Sequence, residues 1–287
     1  MDKSLADFNE AIRLNPKYAR AYNNRGGVWQ AKGELGKALA DYDEAIRLDP
    51  KFVAAYHNRG NAWWAKGESD KALADYDEAI RLDPKLAPAY SNRGLAWQAK
   101  GESDKALADY NEAIRLDPKY ADAYNNRGGA WLEKGEYDKA LADFNEVILL
   151  DPKQAAGYNN RGSTWQAKGD LDKALADYNE AIRLDPKHPG AYNNLAMVYA
   201  ACPNERYRDG VKAVEIATKA CELSGWKRAS TLGTLAAAYA EAGQFDKAVE
   251  TQQKAKDLAP ENEKADYQTR IDLYKSGKPY REEPKPK

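Results

Sequence analysis

Apolar and aromatic residues recur along most of this chain with a constant spacing of 34 residues. Each interval also contains, at fixed places, a proline that follows Asp or Asn, a glycine that follows Lys, and a tryptophan. These residues are Pro16, Pro50, Pro84, Pro118, Pro152 and Pro186; Gly33, Gly67, Gly101, Gly135 and Gly169; and Trp29, Trp63, Trp97, Trp131 and Trp165. A fixed period of this size is typical of arrays in which each unit packs on the next. The pattern therefore predicts a repeat architecture.

Each interval predicts two helices. Proline ends a helix because it lacks an N–H group and clashes with the preceding turn, so Pro50 closes the second helix of its unit. A Lys-Gly pair such as Lys32-Gly33 suits the end of the first helix, because cations and glycine are favoured there. The segment 35–48 has helical spacing, with an apolar stripe formed by Ala38, Tyr42, Ala45 and Ile46.

Glycine occurs inside the predicted first helix of every unit. It lowers helix propensity there, so a packing role is indicated, and we expect a neighbouring helix to approach closely at this point. The residues are Gly26, Gly60, Gly94, Gly128 and Gly162.

The pattern resembles the tetratricopeptide repeat (TPR). With the proline numbered 32, the first full repeat spans 19–52, and Tyr, Gly, Trp, Ala, Tyr, Ala and Pro stand at repeat positions 4, 8, 11, 20, 24, 27 and 32. The resemblance implies an all-α fold, a right-handed α-solenoid superhelix of helix-turn-helix units.

The predicted organisation is a single TPR solenoid over 1–276 followed by a tail at 277–287 that is extended or disordered. The solenoid divides into a half repeat (2–16), five regular repeats (19–188), two diverged repeats (189–228 and 229–261) and a cap helix (262–276). Because the chain begins at repeat position 18, it is either a fragment of a longer protein or has a natural half repeat.

Charge and composition narrow the function. There are 44 Lys and Arg against 45 Asp and Glu, for a net charge of −1, so no field favours nucleic acid or an anionic membrane surface. No apolar run is long enough to insert into a membrane, and the N-terminus lacks the apolar run of a signal peptide. We expect a cytoplasmic protein, although a lost upstream segment would change that expectation.

The residues that catalysis needs are scarce. His57 and His188 have no obvious nucleophile beside them, and Cys202 and Cys221 are separated by about 18 Å along the predicted hairpin at roughly 1.5 Å per residue. We expect two free thiols, with Cys221 in the core. The sequence predicts no enzyme activity, no cofactor and no metal site.

Arginine at repeat position 7 departs from the common TPR pattern. A row of arginines suggests either an anion-binding stripe or ion pairs with the aspartates at repeat position 23 of the facing helix. In the two diverged repeats both charges disappear together, as Leu195 with Ile216 and as Leu235 with Thr251. This co-variation favours the ion pairs. The arginines are Arg25, Arg59, Arg93, Arg127 and Arg161.

Asparagine at repeat position 6 is the strongest functional signal. An amide offers two donors and an acceptor, which suits either a ligand backbone or a brace between repeats. The row resembles the asparagine ladder in the TPR superhelix of O-linked N-acetylglucosamine transferases, which holds extended peptides. The predicted peptide-binding residues are Asn24, Asn58, Asn92, Asn126, Asn160 and Asn194 at position 6, Asn23, His57, Asn125, Asn159 and Asn193 at position 5, and Trp64 at position 12.

Trp64 is interpreted as an aromatic contact for the ligand or as a cover for a neighbouring repeat. The lysines and arginine of the carboxylate clamp found in chaperone-binding TPR domains are absent. The predicted function is a non-enzymatic scaffold that binds an extended peptide segment. The alternatives are a regulatory or substrate-recruiting arm of a larger enzyme and a self-assembling scaffold, with homo-oligomers formed through residues 2–14.

Overall fold

The computed structural model describes residues 2–282 and shows an all-α protein, which confirms the predicted fold class. Sixteen α-helices lie within this range, and consecutive helices pair as helix-turn-helix units that form a solenoid. The chain divides into two compact units, 1–136 and 137–287. Residues 283–287 of the predicted tail lie outside the described part.

The first unit contains eight helices. They are α1 (Asp2–Leu14), α2 (Ala19–Ala31), α3 (Leu35–Leu48), α4 (Val53–Ala65), α5 (Ser69–Leu82), α6 (Ala87–Ala99), α7 (Ser103–Leu116) and α8 (Ala121–Glu133). Within a repeat, the first helix packs along the second, as α2 does on α3. The second helix then packs on the first helix of the next repeat, and first helices of successive repeats also touch, as α2 and α4 do.

The second unit contains the other eight helices. They are α9 (Tyr137–Leu150), α10 (Ala155–Lys168), α11 (Leu171–Leu184), α12 (Pro189–Ala201), α13 (Gly210–Leu223), α14 (Ala229–Glu241), α15 (Phe245–Leu258) and α16 (Lys264–Lys275). Helix α16 packs on α15 and buries Ile271 and Tyr274.

The turns follow from the local sequence. Asp49 at the end of α3 accepts a hydrogen bond from the Lys51 N–H at 3.1 Å, which fixes the Asp-Pro-Lys turn. Gly33 ends α2 with φ of +78°, a left-handed conformation that glycine adopts without a Cβ penalty.

The helical glycines have a specific packing partner. A Cβ on Gly26 would stand 2.7 Å from Cε1 of Tyr42, and one on Gly94 would stand 2.5 Å from the same atom of Tyr110. These tyrosines, at repeat position 24, are almost completely buried. The predicted close approach is confirmed, and it is made by a tyrosine ring of the second helix.

Candidate functional site

The position-6 asparagines of the first unit connect successive repeats. The Asn58 side-chain N–H donates to Oδ1 of Asn23 at 3.0 Å, and that of Asn126 donates to Oγ of Ser91 at 3.1 Å. Asn92 donates to Oδ1 of Asn61 at 2.9 Å and lies 3.0 Å from Nε2 of His57. Each contact joins position 6 of one repeat to position 5 or 9 of the preceding one, so these amides brace the array.

The second unit shows the same contact and the point where it stops. Asn194 donates to Oδ1 of Asn159 at 3.1 Å and lies 3.2 Å from Oγ of Ser163. The next repeat has Thr234 at position 6, and its hydroxyl donates to its own helix at Ser230. Oδ1 of Asn193, at position 5, is buried and accepts no hydrogen bond among the described residues. The loss of one asparagine therefore leaves the preceding amide without its donor.

The bracing contacts use the N–H groups and leave acceptors open. Among residues 2–282, Oδ1 of Asn58, Asn92 and Asn126 accepts no hydrogen bond, and none of these oxygens is enclosed. Asn24 and Asn160 differ, because their Oδ1 atoms accept from the neighbouring Asn23 and Asn159 at 3.3 and 3.2 Å. A row of open carbonyl oxygens is therefore available to backbone N–H donors of a ligand in repeats two to four.

His57 takes the acceptor role that asparagine has elsewhere at position 5. Burial lowers the pKa of His57 below its ordinary value, which favours the neutral ring. A neutral imidazole has one nitrogen free to accept, and Nε2 lies 3.0 Å from the amide nitrogen of Asn92. The site therefore requires the neutral form of this histidine.

A second polar network links the buried tyrosines to position 12. The hydroxyls of Tyr42, Tyr110 and Tyr178 donate to Oε1 of Gln30, Gln98 and Gln166 at 2.7–2.9 Å. Trp64 replaces this glutamine in repeat two, and the Tyr76 hydroxyl turns to Oδ1 of Asn61 at 2.8 Å. In repeat four the sequence changes both members, to Leu132 and Phe144, which removes the hydroxyl together with its acceptor.

Trp64 is half-buried and packs against the buried cluster of Ala72, Leu73, Tyr76 and Ala96. Both sequence-based interpretations are compatible with this position, because the ring covers the next repeat and keeps an accessible portion.

The arginine row is a set of ion pairs, which confirms the prediction against the anion-binding alternative. Arg93 contacts Asp109 through two hydrogen bonds of 2.6 and 2.8 Å, and its third nitrogen donates to Asp77 of the preceding repeat at 2.6 Å. Arg25, Arg59 and Arg161 make the same bidentate contact with Asp41, Asp75 and Asp177. These arginines are occupied and belong to the scaffold.

A segment outside the repeats lies across three first helices of the second unit, and we name residues 278–282 the docked segment. The Glu282 N–H donates to the Ala201 carbonyl at 2.9 Å, and Gln166 Nε2 donates to the Glu282 carboxylate at 3.1 Å. Arg281 pairs with Glu241 at 2.6 Å. These contacts were not predicted from the sequence, although a single aromatic residue, Tyr280, in a charged and proline-rich tail points to them.

The described residues contain few other chemical groups. Cys202 and Cys221 are free, as predicted; Cys221 lies in the core as expected, and Cys202 is buried as well. Burial raises the pKa of Cys221 to about 11, which disfavours the reactive thiolate. No cluster of three or more His, Cys, Asp or Glu side chains in the described range is arranged to bind a metal ion. No helix between residues 2 and 282 has the length and apolarity needed to cross a bilayer.

Models of known families match much of the chain. One described as "TPR repeat" matches 30–67, 98–132 and 167–201, and two described as "Tetratricopeptide repeat" match 53–86 with 121–154, and 229–262. Together these segments cover more than half of the sequence. No curated protein matches the sequence.

Three solved structures are similar to this chain. YrrB, described as a TPR protein with an unusual peptide-binding site, is 29% identical over 64% of this chain and 95% of its own, with a TM-score of 0.49. MamA is 27% identical over 56% of this chain and 95% of its own, with a TM-score of 0.50. One chain of the APC/C hetero-tetramer Cut9–Hcn1 is 18% identical to this chain. The match covers 93% of this chain and 52% of that one, with a TM-score of 0.74.

Proposed function

Because this chain belongs to the tetratricopeptide repeat family and is a protein-interaction scaffold, we propose that it is non-enzymatic and binds an extended peptide segment along the asparagine row. The observation that carries the proposal is that the N–H groups and the oxygens of these amides have different roles. Their N–H groups hold the preceding repeat, and the Oδ1 atoms of Asn58, Asn92 and Asn126 are left open as acceptors.

The spacing of these acceptors suits an extended chain. Neighbouring helices pack about 8–10 Å apart, and an extended peptide advances about 3.3–3.6 Å per residue. One asparagine therefore meets about every third residue of a ligand and accepts its backbone N–H. Because backbone groups are common to all sequences, this contact gives affinity, and side chains at positions 9 and 12, such as Trp64, give selectivity.

Substituting the row in two ways separates ligand binding from bracing. Asp keeps an oxygen that accepts from a ligand but cannot donate to the preceding repeat, whereas Ala loses both functions. Peptides selected on the wild-type protein from a displayed library of random twelve-residue sequences serve as probes. Each is measured against two triple variants, Asn58→Ala/Asn92→Ala/Asn126→Ala and the same three positions changed to Asp.

We expect the Ala variant to lose affinity for every selected peptide. Each lost hydrogen bond is worth about 0.5–1.5 kcal/mol net, so three correspond to roughly a ten- to thousand-fold loss. The Asp variant should melt lower than wild type but keep most of the affinity, since charge-assisted acceptors are strong. Affinity per folded molecule that is unchanged in both variants would reduce the row to a brace and refute the proposal.

Self-assembly is a second candidate function, favoured by apolar side chains on the first hairpin. Leu14 is 69% exposed and Tyr18 is 45% exposed, whereas Leu5 of the same hairpin is buried. Exposed apolar surface invites pairing with a second copy. Light scattering over a concentration series should then show a mass that doubles, and Leu14→Lys should abolish the increase. A monomeric mass at all concentrations excludes this function.

A further inference from the structure

The docked segment crosses the C-terminal ends of three successive first helices. Its contacts are Glu241 on α14, the carbonyls of Ala200 and Ala201 on α12, and Gln166 on α10. These residues occupy repeat positions 12 and 13 of repeats seven, six and five. The segment therefore runs in an extended form from repeat seven toward repeat five.

The end of α12 has carbonyl groups that its own turn does not satisfy. In the regular repeats a glycine and the following residue cap the first helix, as Gly33 and Glu34 donate to the carbonyls of Gln30 and Trp29. Repeat six has Pro203 at the glycine position, and proline has no N–H to donate. The Ala200 carbonyl, which corresponds to that of Gln30, accepts instead from Nη1 of Arg281 at 3.4 Å, and the next carbonyl, that of Ala201, accepts from the Glu282 N–H at 2.9 Å. The backbone acceptor of this site thus comes from a repeat that lost its glycine cap.

Three consecutive side chains of the docked segment each meet a separate partner. The Tyr280 ring packs against the buried clusters of repeats six and seven, beneath the Arg270 guanidinium at 4.0 Å. Arg281 pairs at 2.6 Å with Glu241, whose side chain is 14% exposed. Glu282 accepts from Gln166 at 3.1 Å.

The partners on the array are held in place by other residues. Glu241 also accepts from Arg208 at 3.1 Å, which fixes its carboxylate. Oε1 of Gln166 accepts from the buried Tyr178 hydroxyl at 2.7 Å, so the amide directs its N–H groups toward the docked segment. The surface is therefore ordered by contacts within the array itself.

We propose that this surface of repeats five to seven is a binding site for an extended peptide whose successive side chains are aromatic, basic and acidic, and that residues 278–282 are its resident, displaceable occupant. The inference rests on the proposed function, since it assigns a second ligand surface and a ligand class to the same scaffold. Because Gly277 attaches the docked segment to the array, the segment has a high effective concentration and competes with any partner for this surface. A partner with the same aromatic–basic–acidic order binds by displacing it.

The test uses the full chain and a labelled synthetic peptide with the sequence of residues 277–287, followed by fluorescence anisotropy. Tyr280→Ala/Arg281→Ala loosens the resident segment and leaves the array intact. Lys278→Ala is the matched control, because Lys278 is exposed. A site occupied for nine-tenths of the time has an apparent affinity about tenfold below its intrinsic value, so the double variant should bind the peptide at least about tenfold more tightly than wild type and the control.

Two further measurements complete the test. Adding Gln166→Ala to the double variant should reverse the gain, and excess peptide should accelerate hydrogen exchange at the wild-type Glu282 amide. Equal affinity for wild type and double variant, or no binding to either, overturns the inference. If library-selected peptides still bind the asparagine row in that case, the proposed function stands; if they do not, both fall. If the wild-type protein is a dimer and the peptide dissociates it, the docked segment of a second copy occupies the site. The inference that the segment binds within its own chain would then be wrong.

Discussion

Replacing Arg93 with alanine tests whether the arginine row belongs to the scaffold. Arg93 makes two hydrogen bonds with Asp109 and one with Asp77, and it lies 5.5 Å above the Tyr90 ring. The Arg93 and Asp109 side chains are 21% and 8% exposed. The substitution therefore leaves an almost buried carboxylate without its cation, whereas Asp77, which is 57% exposed, returns to water.

The size of the expected loss of stability follows from this burial. Removing one partner of a buried ion pair costs about 3–5 kcal/mol, and the partial exposure of Arg93 puts the expected loss near the lower end, at about 3 kcal/mol. Arg115→Ala is the matched control, since Arg115 is 68% exposed and pairs only locally with Glu112. That substitution should leave the stability close to that of wild type, because exposed ion pairs contribute little.

Replacing both charges should recover most of the loss. In repeat six, Leu195 and Ile216 stand at the two corresponding positions and share one apolar cluster. Arg93→Leu/Asp109→Ile copies this solution into repeat three, and apolar replacements of buried pairs are often neutral or stabilising.

The assay is hydrogen exchange in the native state over α6 and α7, because an array unfolds locally and a single global transition is not assured. Circular dichroism during urea unfolding gives the global stability. If the amides of α6 are as well protected in Arg93→Ala as in wild type, and the variant no longer binds an anionic partner, the arginine row is an anion-binding site and its interpretation as scaffold ion pairs is wrong.

Four further substitutions, one of them a control, test individual positions. Gly94→Ala forces a Cβ to 2.5 Å from the Tyr110 ring and should destabilise the protein by about 1–3 kcal/mol. Gly129→Ala is the control, because a Cβ there has no atom within 4 Å, and it should stabilise by up to about 1 kcal/mol. Urea denaturation measures both changes. Wild type should lose stability as the pH falls below about 6.5, because burial lowers the folded pKa of His57 and the unfolded chain takes up the proton first. His57→Asn should remove that part of the pH dependence, and identical melting curves from pH 7 to 5 would contradict it. Trp64→Gln should keep the melting temperature within a few degrees but change the order of affinities among selected peptides; an unchanged order would exclude a ligand contact.

The sequence predicted the features that repeat. Helix ends at Lys-Gly and Asp-Pro depend on local chemistry, so α2 and α3 end where the pattern indicates. The pairing of Arg93 with Asp109 was predictable because repeats six and seven change both charges together. Five copies of one arrangement act as independent observations of a single contact.

Features that occur once were not predictable in the same way. The contacts of Tyr280, Arg281 and Glu282 join residues up to 116 positions apart and have no second copy along the chain. The orientation of the Asn58 amide could not be predicted either, because the spacing of the asparagine row suits a ligand and a brace equally. The structure was needed to show that the N–H group braces and that the oxygen is left as an acceptor.

The most direct test of the central claim is hydrogen exchange of a selected twelve-residue peptide bound to the wild-type protein. If Asn58, Asn92 and Asn126 accept from the backbone of an extended ligand, protected peptide amides should recur about every third residue. The same amides should lose protection in the triple Ala variant and keep it in the triple Asp variant. Continuous protection typical of a bound helix, or no protected amide in a peptide that binds tightly, would contradict the account.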